Sequence, residues 1–164
     1  MSFEPTPLRL WRALPREVRI EAARAFWERP SEEAALAAAR EIVQILRVRP
    51  QAFHKIPIDQ RVRAVAGLAH PPETLVDALL VSLHVGPRRK LLADFLDALG
   101  IEHDEGLIDE DAELPQSIEV PTVRAALDRL RPLHAPELIR VYWNALWLQD
   151  PGRWSALETV VEEV

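Results

Sequence analysis

This sequence predicts an all-α fold: a single domain of about eight or nine short helices, arranged as antiparallel helical hairpins around a buried central helix. Three observations carry the prediction. Ala and Leu supply much of the apolar content, and both favour helix over strand. Apolar residues recur at spacings of three and four, and Val follows those spacings instead of forming alternating runs. Proline, present 14 times against five glycines, repeatedly stands one or two residues ahead of such a run, where a helix start tolerates the missing N–H.

The stretch 72–85, PETLVDALLVSLHV, is the expected centre. From Leu75 onward only Asp77, Ser82 and His84 are polar, so no wide face is left for water. It is too short to cross a bilayer, which needs about 20 apolar residues.

Taken in order, a short helix at 7–14 comes first. In the next, Val18, Ala22, Ala25 and Phe26 share one side. Residues 31–46 place Leu36, Ala39, Val43 and Leu46 on one stripe, widened by Ala35, Ala38, Ile42 and Ile45, and the small alanines invite close helix approach. Pro50 and Pro57 bracket an irregular stretch or single turn. Residues 57–69 return to the helical period through Ile58, Val62, Val65, Ala66 and Ala69.

After 72–85, Gly86-Pro87 stops one helix and starts another with a seam of Leu92, Phe95, Leu96 and Leu99, for which Gly100 is well placed as C-terminal cap. Val123, Ala126, Leu127 and Leu130 mark the next. The span 138–148 is a further helix. Asp150-Pro151 reads as an N-cap and first residue of the last helix, with Trp154, Leu157 and Val161 inward. Glu158, Glu162 and Glu163 oppose its dipole, so fraying is expected there. Leu14-Pro15 with Arg19 and Ala22 is echoed 42 residues on by Ile56-Pro57 with Arg61 and Ala64, yet no strict repeat unit emerges; a degenerate helical array stays open.

Composition bounds the chemistry. With 48% hydrophobic and 28% charged residues the chain suits one folded domain over 1–164. The absence of Cys excludes disulfides, thiolate nucleophiles and Cys-ligated metals, and fits a reducing compartment. No secretory or lipidation signal is visible, so a soluble, cytoplasmic protein without membrane attachment is expected. The net charge is -6, but residues 100–119 hold eight acids and no Lys or Arg. The remainder has 18 acids against 20 bases, which gives no case for nucleic-acid binding.

Catalytic and metal constellations are missing. Placing Gly106 at the sixth position of a calcium loop makes Ile101 the first ligand and Ala112 the twelfth, so that motif fails. His70 and Glu73, like His134 and Glu137, have the reverse order of a carboxylate-bridged metal bundle. Ser82 and His84 lie on different helix faces, Asp94 and Asp97 read as a solvated side, and His84 as a core histidine with a lowered pKa. No cofactor is expected.

Two sets remain. Arg88, Arg89 and Lys90 at a helix start form a possible anion site, because exposed N–H groups there already favour an anion. Tyr142, Trp143, Trp147 and Trp154, with Arg140, form a candidate contact surface for a protein partner or ligand. A non-catalytic protein-interaction or regulatory module leads. A small-molecule sensor or carrier with an apolar pocket near those aromatics is the alternative, and an enzyme comes third. Partner identity and oligomeric state are not readable from the sequence.

Overall fold

The structure, a computed structural model, describes residues 4–164. Among the described residues it has nine α-helices, two short 3-10 helices and no β-strand, with one isolated β-bridge between Asp104 and Leu107. None of these helices is long and apolar enough to cross a membrane. They gather into two compact units, Pro7–Pro87 and Arg88–Val164.

The first unit holds α1 (Pro7–Ala13), α2 (Arg16–Glu28), α3 (Glu32–Leu46), a 3-10 helix (Pro50–Lys55), α4 (Ile58–Ala66) and α5 (Glu73–Val85). Three of these helices begin with one device. Pro15, Pro57 and Pro72 are N-caps with ψ of 151°, 146° and 146°, each following a buried residue (Leu14, Ile56, Pro71). Proline offers no capping side chain, but its carbonyl accepts the first helical bond, from Arg19, Arg61 and Val76 at 3.0, 3.1 and 3.0 Å. The buried residue before it pins the entry angle. The 42-residue echo therefore marks a shared helix start.

α5 is the hub of this unit, packing on α1, α2 and α3. Leu75, Val76, Leu79, Leu80, Leu83 and His84 are buried. The seal is incomplete, however: Asp77, Val81 and Val85 form an exposed edge, with Val81 50% exposed. Ser82 returns its hydroxyl to the Ala78 carbonyl at 2.7 Å, so a polar residue fits the helix without a neighbour's help. Ile58 and Ala69 also differ from the sequence pattern and are exposed.

The second unit is built from α6 (Arg89–Leu99), α7 (Val120–Leu130), α8 (Pro136–Gln149), α9 (Ser155–Val160) and a closing 3-10 turn (Val161–Glu163). Phe95 is its centre and is fully buried. Gly100 caps α6 in the left-handed region, its N–H reaching the Asp97 and Leu96 carbonyls. α9 starts later than expected. Asp150 accepts from Arg153 N–H at 3.0 Å and so caps the turn before the helix. The chain end is not frayed either. Arg124 grips Glu163 with two nitrogens (2.7 and 3.0 Å), Arg131 holds the Glu163 carbonyl at 2.6 Å, and Arg140 holds the Val164 main-chain oxygen at 2.5 Å. These guanidinium groups outweigh the adverse dipole.

Burial lowers the His84 pKa from 6.5 to about 4, against a weaker upward pull from its Leu80 backbone hydrogen bond. The folded state therefore holds the neutral ring, while the unfolded chain takes up a proton near the ordinary value. Stability should be full above about pH 7 and drain as pH falls, by about 3 kcal/mol at pH 4. Urea unfolding measured from pH 4 to 7 should show this slope, and His84→Leu should flatten it; an unchanged slope would refute the assignment.

Candidate functional site

The C-terminal aromatics form a core. Tyr142, Trp143 and Trp154 surround Phe95 with ring centroids 5.7, 5.4 and 5.9 Å from it, and all three are buried. Burial pushes the Tyr142 hydroxyl well above its ordinary pKa. Phe95 occupies the space that an apolar pocket among these rings would need. Of the expected contact set, only Trp147, half-buried, and Arg140, exposed, reach the surface, and Arg140 is committed to Val164.

Two of the three cations at the start of α6 are engaged within the chain. Arg89 donates through Nε to the Glu105 carbonyl at 2.6 Å and lies 3.8 Å from the Glu105 carboxylate. Lys90 holds both Asp94 oxygens at 2.7 and 2.8 Å. Arg88 is half-buried. Arg89 and Lys90 are thus engaged within the chain, which offsets part of the unfavourable dipole at this helix start.

Asp97 is solvated as expected, but Asp94 is not. Asp94 meets His134 at 2.7 Å with both side chains mostly covered. Burial pushes its carboxyl pKa up, but hydrogen bonds and charge from Lys90 and His134 prevail and hold it below the ordinary value. Asp97 meets His103 at 3.0 Å.

The acidic segment is a fastened loop. Asp104 and Leu107 exchange two backbone bonds (2.8 and 2.9 Å) around Glu105 and Gly106, whose φ values of 47° and 89° define a type I′ turn. His103 accepts the Gly106 N–H at Nδ1, 2.9 Å away. Arg153 takes the Pro115 carbonyl at 3.1 Å. Arginines thus hold main-chain oxygens, and all eight carboxylates of 100–119 stay exposed. Leu107 is exposed, and the buried residue of the segment is Gly106.

A surface with the shape of a binding site lies in the first unit. α3 buries Ala34, Ala38 and Ile42 against α4 and α5, where small side chains permit close approach. The stripe of Leu36, Ala39 and Val43, expected in the core, instead faces the 3-10 helix across a groove of about 370 Å³, lined also by Pro50, Phe53, Arg40 and Gln44. Leu36 is 52% and Ile45 51% exposed.

Arg61 makes one wall rigid. Its guanidinium donates to the carbonyls of Ile56, Phe53 and His54 (2.9, 3.2 and 3.2 Å), ending the 3-10 helix, and sits 4.3 Å over the Phe53 ring. Trp27 backs Phe53 at 6.0 Å. The wide apolar arc on α3 was the available signal: the helix buries only its alanine-rich side, where small side chains pack closer.

No family model matches the chain, nor does any curated protein or solved structure at a significant level. Among the described residues no three His, Asp or Glu are grouped to hold a metal ion.

Two substitutions test these placements. Leu36→Ala should change stability by no more than about 0.5 kcal/mol, whereas Ile42→Ala should cost about 2–5 kcal/mol; equal costs in urea unfolding would put the stripe back in the core. Gly106→Ala should cost about 1–3 kcal/mol, because its Cβ would lie 2.8 Å from Leu92 Cβ and 3.0 Å from two backbone atoms. A neutral result would remove the buried turn.

Proposed function

We propose that this chain is a non-catalytic protein-interaction module, cytoplasmic as a Cys-free chain suits, and that it binds through the groove between α3 and the 3-10 helix. The observation that carries this reading is Leu36: a large aliphatic side chain half in water beside Val43 and Phe53, on a wall held by Arg61. Apolar residues at helical spacing along an open groove are what a partner's amphipathic helix docks against. The span from Leu36 to Val43 covers about 10 Å at a rise of about 1.5 Å per residue, enough for two turns of such a helix.

The small-molecule alternative moves to the same groove, whose 370 Å³ lies within the usual range for ligand pockets. The half-exposed wall argues for a protein, since ligand pockets enclose about 70–90% of a drug-sized molecule. Nucleic acid is disfavoured by the acidic surface of 100–119.

The test is affinity capture from a lysate of the source cells with the intact chain, Leu36→Asp and the surface control Leu133→Asp. A protein retained by the intact chain and by the control, and lost with Leu36→Asp, is the expected result. Identical retention by all three, or a native mass spectrum showing a bound small molecule displaced by Leu36→Asp, would overturn the reading.

A further inference from the structure

The groove has a charge as well as a shape. Arg40 is among its lining residues, and Arg47 and Arg49 lie on the link that joins its two walls, α3 and the 3-10 helix. Lys55 ends that 3-10 helix. All four are exposed, and residues 40–55 contain one acid, Glu41.

Several other cations of the same unit are occupied. Arg12 holds the Ala69 carbonyl at 2.8 Å, Arg24 the Asp59 carboxylate at 3.0 Å, and Arg61 the three carbonyls described above. Among the described residues, Arg40, Arg47, Arg49 and Lys55 have no ion pair or side-chain hydrogen bond. Four uncommitted cations thus lie on the groove's walls and the link between them, beside the exposed aliphatic stripe. Arg47 adds to this: it is held at φ 51° as the α3 cap, a conformation unusual for a non-glycine residue, which fixes its backbone beside the groove.

From this juxtaposition, and resting on the groove being the binding face, we infer that the occupant is an acidic amphipathic helix of another protein. Its apolar residues at i, i+3 and i+7 lie on Leu36, Val43 and Phe53, and its Glu or Asp residues face Arg40, Arg47 and Arg49. Exposed pairs of this kind add little affinity singly, but together they steer association and select against cationic partners. Glu32 and Glu33 open α3 at the other end, so the charge that recognises the partner is concentrated towards the link.

The experiment uses the intact chain and two fluorescent helical peptides of one design, Leu at i, i+3 and i+7, with either Glu or Lys between. Anisotropy titrations at low salt should show the Glu peptide binding at least about 10-fold tighter, a gap that narrows as salt screens the charges. The triple variant Arg40→Glu, Arg47→Glu, Arg49→Glu should reverse the preference, and Leu36→Asp should abolish binding of both peptides, with circular dichroism confirming that each variant is folded.

If the two peptides bind equally and Leu36→Asp removes both, the groove reading survives and the acidic partner is refuted. If binding ignores Leu36, both fall. Leu36-dependent sedimentation with phosphatidylserine vesicles, or concentration-dependent self-association lost in Leu36→Asp, in the absence of a Glu-peptide preference, would overturn the inference in favour of a membrane or a second copy.

Discussion

Helices of six to fifteen residues are barely stable alone in water, so each one here exists because an apolar side is taken up by a neighbour. In the first unit that constraint converges on α5, whose Leu75, Leu79 and Leu83 are fully buried beneath α1, α2 and α3. In the second it converges on Phe95, with Leu127, Leu130 and Trp143 equally enclosed. Once those faces are satisfied, every other apolar surface is surplus. The Leu36 stripe is such a surplus, and it became the groove because α3 already had a better face to bury.

A second constraint concerns the main chain. With 14 prolines and five glycines, the connections cannot rely on flexible caps, and their carbonyls need donors. Arginine supplies them. Arg12, Arg61, Arg89, Arg131 and Arg153 each reach a main-chain oxygen in a loop or at a helix end. The planar fork of the guanidinium suits this better than a lysine ammonium, and the basic residues are overwhelmingly Arg. Arg40, Arg47 and Arg49, around α3, make no such contact.

Much of the fold was legible. The spacing of Val123, Ala126, Leu127 and Leu130 located both a helix and its buried face, and Gly100 marked a helix end, because a single period or a single conformational need decided each case. Where two local rules competed, the sequence pattern misled. α3 carries one wide apolar arc, and only tertiary packing says that its Ala34, Ala38 and Ile42 side is the one buried. Asp150 satisfies the rule for a helix cap but is spent on a turn. The candidate site was the least legible part. Trp143 and Trp154 are as apt for a core as for a surface, and the groove needs Phe53 and Arg61, which become neighbours of α3 only through the fold.

The arginine fastening has a consequence for the conditions this molecule tolerates. A guanidinium on a carbonyl contains no group that titrates below about pH 12, so the loops keep their moorings in alkali. Acid is different, because it charges the ring of His84 in the interior. The loop moorings and the buried ring therefore answer to pH differently: the first are indifferent to alkali, and the second is charged by acid.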